Sequence, residues 1–170
     1  MTKRIITTVV AALAIGALCL TVAASTKKQV AKDFVIRGTA YCEITGMWRP
    51  ADRAETLPPV ISFNIIGADG VATHTGRYGL VGHGDSDLYT GQGWDTGVFI
   101  AANGDKINWD GVIYPDPTPK LKVTLKEVNP GTGRFANAKG GFIADIFDLN
   151  IDWAVMTMSF SFTGSGELAY

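Results

Sequence analysis

Beyond about residue 30 the chain alternates apolar and polar residues with a period of two, and helical periodicity is hard to find. The C-terminal run is the clearest case. Met156, Met158, Phe160 and Phe162 fall on one face, continued by Gly164, Gly166, Leu168 and Tyr170, while Val155, Thr157, Ser159, Ser161 and Thr163 fall on the other. Leu121, Val123 and Leu125 alternate with Lys120, Lys122, Thr124 and Lys126, and Ile61, Phe63 and Ile65 alternate with Ser62 and Asn64. Phe34 to Ile44 reads as a first strand with Arg37, Thr39, Tyr41 and Glu43 outward and Ala40, Cys42 and Ile44 inward. Successive side chains of a strand point to opposite faces, so each run predicts a strand with one buried side.

Turn residues separate these runs. Asp69-Gly70 and Asn103-Gly104 each suit a tight hairpin with positive φ at both central positions. Pro115, Pro117 and Pro119 predict a stiff loop before the lysine-rich strand, and residues 50–59 predict another loop. About eight strands joined by short connections result. That is an all-β fold, a meander closed into a single antiparallel barrel, with a sandwich as the other arrangement the pattern allows. Closure fits better, because glycines inside strands (Gly38, Gly97, Gly111, Gly164) let a tightly coiled sheet bend.

The N-terminus changes where this barrel is placed. Met1-Thr2-Lys3-Arg4 precedes an apolar run from Ile5 to Ala24 that ends in Val22-Ala23-Ala24, the layout of a secretory signal peptide cut before Ser25. A membrane anchor is the competing reading. Lipidation at Cys19 is disfavoured by Leu18, where a small residue is needed. The predicted organisation is a signal peptide at 1–24, a flexible segment at 25–33 and a barrel at 34–170, secreted or periplasmic. Losing 24 of 170 residues leaves 146, one domain's worth. The leader carries two of the 15 basic residues and none of the 16 acids, so the remainder stands at 13 against 16, a net −3. No basic stripe remains for nucleic acid. Cys42 becomes the lone cysteine, without an intramolecular disulfide, and its place in the alternation predicts a buried, inert thiol.

Candidate chemistry is thin. Gly131-Thr132-Gly133-Arg134-Phe135-Ala136 fits the letters of a dinucleotide fingerprint, but such a fingerprint must open a helix. Gly140-Gly141 would break one, and Phe142 to Phe147 alternates as a strand. Asp148-Leu149-Asn150-Ile151-Asp152 starts like a calcium loop, yet Trp153 and Ser159 stand where glycine and glutamate belong, so a strand or loop edge with solvated acids is expected. His74 and His83 are the two histidines; with Asp85 they make a base and its orienter on paper, but no nucleophile or third ligand accompanies them, which favours structural roles. His83-Gly84-Asp85-Ser86-Asp87 reads as a solvated loop. Thr75-Gly76-Arg77-Tyr78 returns as Thr132-Gly133-Arg134-Phe135, which predicts one local geometry used twice: a glycine bend, a capping arginine and an aromatic packed inward.

The stretches ATHTGRYG (72–79), AANGDKI (101–107) and GTGRFANAKG (131–140), in that order and spacing, resemble an uncharacterised family of small exported bacterial proteins with an allene-oxide-cyclase-like, lipocalin-like β-barrel. The resemblance covers residues 34–170; Pro130 and Asn137 depart from it where glycines are usual. It implies a fold more than an activity, and assigns Gly76, Arg77, Asn103, Gly104, Asp105, Gly131, Gly133, Arg134 and Phe135 to turns and barrel closure. Plant cyclases and dirigent proteins share such a barrel and guide reactive intermediates without a cofactor. No catalytic residue set, metal or cofactor follows for this chain.

Three functions remain open from sequence. One is a soluble, non-enzymatic binding or structural barrel holding a small apolar molecule against Met156, Met158, Phe160, Phe162, Ile61 and Phe63. A second is a cyclase or isomerase using the interior as a template. A third is a small outer-membrane barrel with the faces inverted. The first implies no stable membrane insertion once the leader is gone.

Overall fold

The computed structural model describes residues 29–115, 121–129 and 131–170. The expectations for the leader, Cys19, residues 25–28, Pro117, Pro119 and Lys120 lie outside the described residues. Eight strands follow in chain order: β1 (Ala31–Trp48), β2 (Val60–Ala72), β3 (Gly76–Asp87), β4 (Gln92–Ala101), β5 (Lys106–Pro115), β6 (Leu121–Asn129), β7 (Lys139–Asp152) and β8 (Thr157–Ala169). Each pairs antiparallel with its chain neighbour, and β1 pairs with β8 from Ala31↔Ala169 to Glu43↔Thr157, so the meander is a closed barrel. β1 begins at Ala31, a little ahead of the predicted Phe34.

The apolar faces point inward. Phe34, Ile36, Ala40, Cys42 and Ile44 from β1 meet Phe63 and Ile65 from β2, Phe99 from β4, Trp109 from β5, Phe142 and Ile146 from β7, and Met158, Phe162 and Leu168 from β8 in one core. Side chains fill most of the interior, as in other small barrels. This settles the orientation of the alternating faces: the arrangement of an outer-membrane barrel, apolar to lipid and polar to lumen, is the reverse of the one adopted. Cys42 is buried, and desolvation followed by the nearby Asp95 carboxyl pushes its thiol up to about 12, which makes it the inert thiol expected.

Glycines make room as much as they bend the sheet. A Cβ on Gly38 would stand 2.6 Å from the Tyr78 hydroxyl, and Gly70 faces the same hydroxyl, which donates to the Arg37 carbonyl at 3.1 Å. Gly82 and Gly97 likewise lie under the Trp109 ring. This corrects the Asp69-Gly70 turn. Both residues lie inside β2, beyond a register shift between Ile65 and Gly70, because the glycine is needed beside Tyr78. The chain reverses instead at 73–75, where His74 takes a φ of 70°. That conformation is held from both sides: Thr73 Oγ1 accepts from the Val35 N–H at 2.9 Å, and a His74 ring nitrogen lies 2.9 Å from the Asp33 carbonyl. Asn103-Gly104 does turn between β4 and β5, with positive φ at Gly104 alone. His83 to Asp87 is not a loop but the end of β3, with Ser86 buried. Met156 is not on β8: it sits in the preceding turn at φ 54°, so the shared face starts at Met158.

The two ends of the barrel differ. One is plugged by the segment after β6. Thr132 and Lys106 exchange hydrogen bonds at 2.9 and 3.0 Å, and a single 3-10 turn at Gly133–Phe135 drives Phe135 into the core against Tyr170, ring centroids 5.0 Å apart. Arg134 donates to the His74 carbonyl and stands 3.6 Å from Asp105, whose side chain also bonds Asn103 at 2.8 Å. The two echoing stretches thus meet at this plug. They share a positive-φ glycine (Gly76, 69°; Gly133, 57°) and a buried aromatic, but their arginines differ, since Arg77 is exposed on β3. The other end carries the loop at 49–59, pinned where Arg53 donates to both Asp87 oxygens at 2.7 and 2.5 Å.

Because Phe135 is fully buried under the barrel, Phe135→Ala is expected to cost about 3–5 kcal/mol of unfolding free energy, read by urea titration. A loss below about 1 kcal/mol would mean that the segment is an appendage and not a plug.

Candidate functional site

Two cavities lie inside the barrel, a deeper one at mid-height and an outer one toward the unplugged end. The deeper, about 40 Å³, is lined by Ile65, Leu80, Phe99, Trp109, Phe142, Ala144 and Phe162. The outer, about 30 Å³, is lined by Phe63, Ser86, Ile113 and Met158, with Leu88 and the exposed Leu149 at its rim. Asp95, Ile146 and Phe160 border both. Each has room for a water or two and no more, and a larger molecule needs a side chain to move. Phe160, half-buried between them, is the side chain placed to do so.

Asp95 is the chemical centre of this region. On β4 it shares the inward parity of Gly93, Gly97, Phe99 and Ala101, while Trp94, Thr96, Val98 and Ile100 share the other face. Its neighbours across the ladder are both glycines, Gly84 on β3 and Gly111 on β5, so no side chain screens it there. The residue as a whole keeps some exposed surface, but Oδ1 is enclosed and has no hydrogen-bond partner among the described residues. Burial raises the carboxyl to about 6; hydrogen bonds from the Trp109 side chain and its own backbone N–H oppose this, and the Asp110 charge adds to it. An aspartate in this state exchanges a proton within reach of neutral pH, in a wall otherwise apolar.

The residues expected to hold a ligand are only partly assembled here. Phe160 and Phe162 line the deeper cavity, and Phe63, Met158 and Phe160 the outer one. Ile61 is fully buried and lines neither, and Met156 packs against the core from its turn. The histidines stay apart: His74 lies at the plugged end, where its ring also meets Tyr170 edge-on, while His83 faces outward against Trp94. Among the described residues no group of acids, histidines and cysteines is placed to hold a metal ion, Asp148 and Asp152 included. The turn residues Gly76, Asn103, Gly104, Asp105, Gly131, Gly133, Arg134 and Phe135 all sit at the plugged end, away from the cavities.

Sequence reasoning missed Asp95. On β4 the bulky apolar residues face outward and the inward positions are Gly, Asp, Gly, Phe and Ala, so hydropathy alone turns the strand inside out. Counting parity back from the Asn103-Gly104 turn, with Phe99 inward, would have found it.

The raised carboxyl carries a definite pH signature. Unfolded, Asp95 loses its proton near 3.8; folded, it keeps it to about 6. The folded state therefore binds more protons in this window, and the cost of Asp95 to stability is absent below it, grows through it and is complete above it. Asp95→Asn is expected to match the parent near pH 4 and to exceed it by about 1–3 kcal/mol at pH 7.5, at ~1.4 kcal/mol per pKa unit. A difference in urea-unfolding free energy that stays flat across this range would contradict the burial of the charge.

No family model matches this chain, and no curated protein matches it. Among solved structures it is similar to the pterocarpan synthase dirigent protein GePTS1, at 13% identity and a TM-score of 0.49, over 84% of this chain and 93% of that one. It is also similar to the pterocarpan synthase dirigent protein PsPTS1, at 11% identity and a TM-score of 0.47, over 82% of this chain and 95% of that one.

Proposed function

We propose that this protein is an exported, soluble barrel that binds a small, largely apolar molecule at its unplugged end, without a cofactor. The observation that carries the reading is the pair of apolar cavities meeting at one enclosed, unpartnered carboxyl oxygen. Ligand sites are mostly apolar with few polar groups placed to orient the guest, and this region has that composition. Export rests on the leader at 1–24, and the kinship proposed is with the family of small exported bacterial proteins that the three glycine-rich stretches resemble. Nucleic acid is not the partner of a chain carrying this charge, and the mature chain stays out of the membrane.

One observation favours a second reading. A carboxyl raised to about 6 in an apolar cavity can deliver a proton to a bound molecule, so a cofactor-free cyclase or isomerase acting through Asp95 as general acid is the alternative. Asp95→Asn tests the alternative: an enzyme that uses this carboxyl as general acid loses turnover a hundredfold or more with the fold retained.

Two outcomes test the binding reading. Native mass spectrometry of the purified protein should show a co-purifying small molecule, and saturating 1-hexanol should raise the melting temperature of the parent. With neither, the interior is packing alone, and Met158→Ala then simply destabilises by about 2–5 kcal/mol. Residues 25–170 should be recovered from the periplasmic or culture fraction without detergent; retention with membranes after a carbonate wash would contradict this placement.

A further inference from the structure

We infer that the guest of this site is a hydrophobic amine, bound as its ammonium ion, with N–H groups on Asp95 Oδ1 and its apolar body among the rings of Phe99, Trp109 and Phe160. The inference rests on the binding reading above and narrows it to one ligand class.

The first ground is uncompensated charge. A buried carboxylate is costly unless it is paired and hydrogen-bonded. The Trp109 side chain supplies a hydrogen bond to the group, but Oδ1 has no donor among the described residues. No lysine, arginine or histidine lines either cavity among those residues. Among the described residues the groups that act on Asp95 are acidic, and His83, one place along β3 from the ladder partner Gly84, turns outward against Trp94. β5 presents Asp110, which acts on it directly, and β1 presents the Cys42 thiol, which is coupled to it. β3 brings Ser86 to the cavity, with Asp85 one place along the strand, and β7 and β8 bring only apolar side chains. That field favours a cation and opposes an anion.

The second ground is the surface around the carboxyl. Phe99 and Trp109 lie together, ring centroids 4.7 Å apart, in the wall that Asp95 shares with Phe160. Aromatic faces attract an ammonium ion, more strongly where water is excluded. A carboxylate set among such rings satisfies both parts of an amphiphilic amine, the charge and the hydrocarbon. The third ground is access: the half-buried Phe160 borders both cavities beside Asp95, so its displacement toward solvent would join them there.

The test compares 1-hexylamine with 1-hexanol by calorimetric titration of the folded chain. An alkylamine, like lysine at about 10.4, stays protonated throughout the range used. At pH 7.5 the amine should bind at least about tenfold more tightly than the alcohol, the minimum expected of one desolvated charge pair. At pH 5 its affinity should fall about tenfold, since the carboxyl is then largely neutral, while that of the alcohol holds. Asp95→Asn should abolish the preference and keep the alcohol. Alcohol binding as tightly as amine at pH 7.5, or a preference that survives Asp95→Asn, overturns the amine inference and leaves the binding reading in place. If neither probe binds, both fall.

Discussion

The pairing of β1 with β8 closes the sheet into a barrel, and that closure fixes the volume into which every inward side chain must fit. A closed barrel of eight strands has an interior just wide enough for side chains to fill it. The rest of the molecule answers to this limit. Large rings are placed over glycines: Tyr78 over Gly38 and Gly70, and Trp109 over Gly82 and Gly97. One end is stopped by Phe135, brought beneath the core by a turn that only positive-φ Gly133 begins. The register shifts at Ile65/Gly70 and Phe147/Asn150 take up the strain of curvature where strands must bend.

Within so full an interior, Asp95 stands out as the one ionisable side chain lining the two cavities among the described residues. Gly82 and Gly97 admit Trp109, and a second pair, Gly84 and Gly111, leaves Asp95 without flanking side chains across the ladder, so the carboxyl is walled by rings and aliphatic groups from the opposite strands. Among the described residues, the ion pairs Arg53–Asp87 and Arg134–Asp105 tie loops together at the ends, whereas the Asp95 carboxyl lies inside.

Much of the barrel was legible because most strands bury one face cleanly. Phe34 to Ile44 and Met158 to Phe162 alternate in sequence as they do in space, and the Asn103-Gly104 turn is where its residues put it. What was not legible followed from contacts between distant residues. Asp69-Gly70 has turn chemistry, but Gly70 is there for Tyr78, and the reversal falls on His74, whose positive φ is held by hydrogen bonds to β1 that no local pattern announces. Asp95 was hidden for a related reason. Trp109 fills the space over Gly97 that β4 leaves bare, so the inward face of β4 carries Phe99 as its one large apolar residue and its first half reads as polar. Four of the six residues of the expected ligand wall, Met158, Phe160, Phe162 and Phe63, border the cavities; the group that gives the region its chemistry came from the strand with the least regular pattern.

The account turns on whether Asp95 is buried without a charge partner. The direct measurement is a carbon-13 NMR titration of its side-chain carboxyl in the folded protein, assigned by the Asp95→Asn variant. A midpoint about 6 is the result predicted. A midpoint at or below the ordinary aspartate value of about 3.9 would show the carboxylate to be solvated or paired, and would contradict both the apolar pocket built around it and the ligand inferred from it.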